Sequence, residues 1–191
     1  MYTPLLISSI ITLLVIVGLH HLTTKLPRLL RLIVPFTLAG VAATLAYLTA
    51  LQYFTWASNG LSRLLLPPHQ SISYFAFYAL TEFWADYLLA AAIGLIAYLV
   101  IKRQTTPERP FFYPEEPALC FIALVVVGNP LWIIYCCILL VEALIGTCYT
   151  TYISKTRERV SFRYLWIPTA ILVLAFSPIL NKLPLVIYLH F

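Results

Sequence analysis

Residues 117–153 read PALCFIALVV VGNPLWIIYC CILLVEALIG TCYTTYI. This apolar stretch is too long for one membrane-spanning helix, because about 20 residues cross a bilayer, and it is short for two. The strongest turn signal inside it is Gly128-Asn129-Pro130. A division at this turn predicts a short fourth span, Pro117–Val127, and a full-length fifth span, Leu131–Ile153.

Long apolar runs occupy most of the remaining chain. The sequence is 62% hydrophobic and 10% charged, whereas soluble domains carry about 25% charged residues. We therefore predict an all-α integral membrane helical bundle that forms one domain over residues 1–191 and has six transmembrane helices. The other four predicted spans are Pro4–Leu19, Leu32–Ala57, Ser71–Ile101 and Tyr164–Leu180.

The basic residues predict the orientation of these spans. If the apolar stretch is divided at Gly128, ten of the twelve Lys and Arg residues fall in loops on one side of the membrane. Basic residues concentrate in cytoplasmic loops, so both termini are predicted to lie on the outer face. The net charge of +5 is explained by these loops, and we expect no nucleic-acid partner.

Two acidic residues in the third predicted span are candidates for catalysis. Glu82 and Asp86 are four residues apart, so they are expected on one helix face, with Tyr78 one turn earlier. Two carboxylates at this spacing repel each other in a medium of low dielectric constant. We expect the pair to share one proton or to bind a cation together.

Glu142 is a third candidate, because it lies near the middle of the fifth predicted span. Ionisable groups inside a span are costly and usually have a function. Tyr135 and Tyr149 lie seven residues to either side on the same face, and their hydroxyl groups are expected to bond the carboxyl group. We predict that Glu142 faces the interior of the bundle.

Other acidic residues and the histidines favour simpler explanations. Glu115 and Glu116 precede the fourth predicted span, where negative charge suits the helix dipole. Their position next to this short span leaves a role in a site open. The four histidines lie in loops or at span ends, and no nucleotide-binding, zinc-protease or serine-hydrolase motif occurs. We therefore predict no cofactor and no metal.

Three classes of function remain open from the sequence. The first is a membrane-embedded enzyme that acts on a hydrophobic lipid or isoprenoid, such as a cyclase or isomerase, because carboxylic acids can protonate an alkene and aromatic faces can stabilise the resulting cation. The second is a small transporter for a proton or cationic solute, and the third is a structural subunit of a membrane complex. For the enzyme, the predicted catalytic residues are Asp86, Glu82 and Glu142, and the predicted substrate-binding residues are Tyr78, Trp84, Tyr135 and Asn129.

Overall fold

The computed structural model describes residues 26–105, 112–153 and 162–180, together with residues 10, 11, 13, 14 and 182. Within these residues the fold is all-α and contains no strand. A π-helical turn, Leu80–Trp84, interrupts the second long helix. We label the long helices of the described ranges α1 (Leu26–Ser58), α2 (Ile72–Gln104), α3 (Glu116–Val127), α4 (Leu131–Cys148) and α5 (Trp166–Leu180).

The predicted division at Gly128 is confirmed. Helix α3 ends at Val127, and α4 begins at Leu131. Gly128 has a φ of 74°, which residues with a side chain rarely adopt. The peptide bond between Asn129 and Pro130 is cis. These three residues form the connection that the sequence indicated.

Three of the six predicted spans have the length and composition of membrane-spanning helices within the described ranges. They are Leu32–Ser58, Ile72–Gln104 and Leu131–Tyr152. Helices α3 and α5 are apolar but shorter. The first predicted span, Pro4–Leu19, lies mostly outside the described residues, although Leu13 is helical and fully buried in the core. Both termini and most of the basic segment before residue 162 also lie outside the described residues.

The outer surfaces of α1, α2 and α4, which contain the three candidate spans, are apolar. In each of these helices, only 17% of an apolar segment of 18 residues is buried inside the protein. A soluble monomer does not expose contiguous apolar surface on this scale, so the surface is suited to lipid. Threonine hydroxyl groups in α1 donate to backbone carbonyl groups one turn earlier, as Thr44 does to Gly40 and Thr55 to Leu51. These bonds satisfy polar groups that lipid cannot solvate.

Helix α3 lies at the centre of the fold. Ten of its twelve residues are buried, and it contacts α1, α2, α4 and α5. A twelve-residue helix covers only about 18 Å, which is less than the hydrocarbon thickness of a bilayer. Surrounding helices, rather than lipid, therefore cover this short apolar segment.

A second apolar cluster joins α1 to the first half of α2. The Trp56 ring packs against Tyr78 at a centroid distance of 4.7 Å and against Phe75 at 5.4 Å. The indole nitrogen of Trp84 donates to the Thr49 hydroxyl group at 3.2 Å. Together these contacts fix α1 alongside the π-helical turn.

Helices α2 and α3 pack closely against each other at Gly94. A Cβ atom at this position would lie 3.2 Å from Phe121 Cδ2 and 3.6 Å from Leu124 Cβ. We expect Gly94→Leu to lower the free energy of unfolding by about 1–3 kcal/mol, because the added side chain overpacks this contact. Thermal unfolding in detergent measures the effect. Gly40→Leu is the matched control, since a Cβ atom at Gly40 meets nothing within 4 Å. Equal melting temperatures for the two variants would contradict the prediction.

Candidate functional site

A polar network surrounds the turn between α3 and α4. The Asn129 side-chain amide donates to Asp86 Oδ1 at 2.8 Å, and the Trp132 indole nitrogen donates to Asn129 Oδ1 at 3.1 Å. Asp86 is buried, with 9% of its surface exposed. The structure thus brings together two of the residues predicted from sequence, Asp86 on α2 and Asn129 in the turn, which are far apart in the chain. Their hydrogen bonds stabilise the junction between α2 and the turn.

Glu82 and Asp86 do not share an environment as their spacing predicted. Glu82 is exposed, whereas Asp86 is buried. Glu82 lies inside the π-helical turn, where hydrogen bonds skip one additional residue and shift the register of the helix. The four-residue spacing therefore does not place the two carboxyl groups on one uniform face.

Glu142 faces a neighbouring helix, in agreement with the sequence-based expectation. The Thr169 hydroxyl group from α5 donates to Glu142 Oε2 at 2.5 Å, and Thr169 is 1% exposed. The prediction that Tyr135 and Tyr149 bond the Glu142 carboxyl group is wrong. Tyr135 is fully buried and donates instead to the Trp166 carbonyl oxygen at 3.0 Å, and Tyr149 is exposed. The seven-residue spacing did not identify Thr169 because the partner comes from another helix.

Two of the three aromatic residues predicted to bind substrate, Tyr78 and Trp84, have structural contacts. Tyr78 packs on Trp56, and Trp84 bonds Thr49, so both join α1 to α2. Neither they nor Asp86, Glu142, Tyr135 and Asn129 line the cavity described next.

A cavity of about 700 Å³ opens between α1, α2 and the start of α3. We call it the lateral groove. Most of its walls are apolar, and two of its lining residues belong to charged residue types, Glu115 and Lys102. The other lining residues are Val34, Pro35, Leu38, Leu95, Tyr98, Pro114, Pro117, Ala118 and Phe121.

Two consecutive carboxyl groups lie buried where α3 begins. Glu115 is 4% exposed and Glu116 is 1% exposed. Glu115 occupies the position before the first turn of α3, but its side chain forms no capping hydrogen bond there. The helix dipole alone therefore does not explain why these two residues are enclosed.

Glu115 is not among the site residues predicted from the sequence, although the sequence contains a signal for it. Pro117–Val127 is too short to cross a bilayer alone, so other helices must cover it, and residues next to such a segment are drawn into the interior. The pair Glu115-Glu116 stands immediately before it. The shortness of the span, more than the helix dipole, predicts that these carboxyl groups are buried.

Two aromatic rings and one cation complete the lateral groove. Tyr98 and Phe121 have ring centroids 6.5 Å apart and an interplanar angle of 74°. The Lys102 ammonium group lies 5.5 Å from the centroid of the Tyr98 ring. The groove thus combines a buried carboxyl group, aromatic faces and an exposed positive charge.

Comparisons with known proteins give no relative. No family model, no curated protein and no solved structure matches this chain. Within the described ranges, no group of three or more His, Cys, Asp or Glu side chains is placed to hold a metal ion.

The lateral groove and the polar contacts elsewhere differ in what they can do chemically. Asp86 and Glu142 each accept a hydrogen bond from a neighbouring segment, which stabilises helix packing. Glu115 also lines the apolar lateral groove. Its carboxyl group can exchange a proton with a hydrophobic molecule held there.

Proposed function

We propose that this chain is a membrane-embedded enzyme that binds a hydrophobic lipid or isoprenoid in the lateral groove. The single observation that carries the proposal is the groove itself, an apolar cavity of about 700 Å³ that Glu115 lines. Small-molecule sites are concave and mostly apolar, with a few polar groups at defined positions, and this groove has that composition.

Glu115 is the proposed acid and base of the reaction. Its carboxyl group gives a proton to one carbon of an alkene, and the resulting carboxylate takes a proton from a neighbouring carbon. The sum is an isomerisation or a cyclisation, in which atoms and electrons balance without another reactant. The faces of Tyr98 and Phe121 would stabilise the cationic intermediate.

The number and orientation of the spans belong to the same proposal. We propose six spans with both termini on the outer face, because this arrangement puts ten of the twelve basic residues on one side. The groove joins the start of α1 to the end of α2, which supports a common side for the basic residues beside both ends. Reporter fusions at Arg109, Asn129 and Phe191 test the topology, with a cytoplasmic signal expected at Arg109 alone. A cytoplasmic signal at Phe191 would reject six spans.

A structural subunit of a membrane complex is the second candidate function. The observation that favours it is that Asp86 and Glu142 already have hydrogen-bond partners in neighbouring segments. These intramembrane carboxyl groups therefore have a packing role that requires no substrate.

Blocking the lateral groove separates the two candidates. We expect Ala118→Trp to lower the binding of geranylgeraniol, a C20 prenol used as the probe, at least about tenfold, since a steric loss of about 1.4 kcal/mol has this effect. Native mass spectrometry of the purified protein in detergent measures the bound fraction. Leu95→Trp fills the same groove from a half-exposed position and serves as a second variant if Ala118→Trp does not fold.

The matched control for groove blocking is Ala92→Trp. Ala92 is exposed on α2 and does not line the groove, so this variant is expected to bind the prenol like the wild-type protein. The enzyme proposal is rejected if the wild-type protein binds no prenyl probe, or if all three tryptophan variants bind equally well.

A further inference from the structure

Lys102 places a positive charge at the rim of the lateral groove. It lies in the last turn of α2, is exposed, and has its ammonium group above the Tyr98 ring at 5.5 Å. Within residues 26–105, 112–153 and 162–180, Lys102 has a ring contact but no ion pair. Its charge is therefore available to a ligand at the rim.

The Glu115 carboxyl group and the Lys102 ammonium group lie at different depths in the groove. Glu115 is 4% exposed, whereas Lys102 is exposed. A molecule in the groove therefore meets the carboxyl group inside the protein and the ammonium group at the surface. The segment of α2 from Leu95 to Lys102 provides about 10 Å of groove wall, at about 1.5 Å per residue.

We infer that the occupant of the lateral groove is an amphiphile with an anionic head group, a prenyl phosphate of the membrane. The phosphate would be bound by Lys102 at the rim, and the apolar tail would lie along Leu95 and Phe121. The inference rests on the proposed function and specifies its substrate class. A neutral hydrocarbon would contact the apolar walls but would leave the Lys102 ammonium group without a counter-ion.

Charge complementarity distinguishes this occupant from a neutral lipid. An ammonium group above an aromatic ring is partly withdrawn from water, and a hydrogen bond to a charged group contributes more than one between neutral groups. Arg103 is the next residue and is also exposed, but it does not line the groove. It provides a control with the same loss of charge at the same end of the helix.

The test compares two probes of equal chain length, geranylgeranyl monophosphate and geranylgeraniol. Binding to the purified protein is measured by native mass spectrometry at several probe concentrations. We expect the phosphate to bind the wild-type protein about tenfold more tightly, as one charge-assisted hydrogen bond allows. Lys102→Gln should remove this preference, and Arg103→Gln should keep it. Lys102→Arg should also keep it.

The possible outcomes distinguish a failure of this inference alone from a failure of the proposed function. If both probes bind equally and Ala118→Trp blocks both, the groove still binds a hydrophobic molecule, but the inference that this molecule has an anionic head group is rejected. If Lys102→Gln and Arg103→Gln reduce phosphate binding equally, the contact is a general surface attraction and the inference is rejected. If neither probe binds the wild-type protein, the proposed function and the inference are both rejected.

Discussion

Replacing Glu115 by Gln is expected to lower turnover by about 10²–10⁴-fold, the usual contribution of a positioned general acid or base. The amide has nearly the same size as the carboxyl group but cannot deliver a proton to carbon. Because Glu115 is buried at the start of α3, no solvent acid can reach the substrate as readily. The variant should still fold and should still bind a prenol in the lateral groove.

Deuterium incorporation measures this effect whichever product the reaction forms. The purified protein is incubated in D₂O with the polyprenyl lipid fraction of membranes, and carbon-bound deuterium is counted by mass spectrometry. Proton transfer from Glu115 to an alkene carbon predicts a stable label in the wild-type reaction and its loss in Glu115→Gln. A wild-type protein that incorporates no label would exclude the proposed alkene chemistry.

Glu82→Gln is the matched control, and it also tests the catalytic residues predicted from sequence. Glu82 is exposed and does not line the groove, so this variant is expected to label lipid at the wild-type rate. Asp86→Asn changes the other member of the predicted pair. If Asp86→Asn or Glu82→Gln abolished labelling while Glu115→Gln did not, the catalytic group would be the acidic pair and not Glu115.

Replacing Tyr135 by Ala is expected to cost about 3–5 kcal/mol of unfolding free energy, as truncation of a large buried aromatic side chain does. Tyr135 is fully buried, and its hydroxyl group donates to the Trp166 carbonyl oxygen at 3.0 Å. Truncation removes both the packing around α3 and the link from α4 to α5. Tyr135→Phe retains the ring and should cost only about 1 kcal/mol, the contribution of one hydrogen bond.

Unfolding by titration with a denaturing detergent, followed by circular dichroism, measures these differences. Tyr47→Ala is the control, because Tyr47 is 63% exposed on α1 and its removal leaves no enclosed cavity. If Tyr135→Ala and Tyr47→Ala were equally stable, the enclosed position of Tyr135 would be incorrect.

Apolar run length predicted the helices well because it is a local property. The end of α1 at Ser58, the two ends of α3 and the start of α4 at Leu131 follow from run length and turn residues. The interior orientation of Glu142 was also predicted, from the free-energy cost of placing its carboxyl group in lipid. These features depend only on residues that are neighbours in sequence.

The candidate site was less predictable because it depends on contacts between helices. Thr169 is 27 residues from Glu142, and Asn129 is 43 residues from Asp86. The π-helical turn that leaves Glu82 exposed has no simple signal in Leu80–Trp84. Lys102 and Glu115 flank a polar loop in the sequence, and only the three-dimensional arrangement of the helices shows that they line one groove.

The enclosure of α3 determines how the protein must be assembled during its synthesis. A helix of about 18 Å is a poor independent candidate for insertion, so it requires α2 beside it and α4 directly after it. Helix α5 contacts α3 and α4 but is the last of these helices to be synthesised. If the long helices span a bilayer, one side of the central helix stays in contact with lipid until α5 emerges from the ribosome, so completion of the core would be a late event in biogenesis.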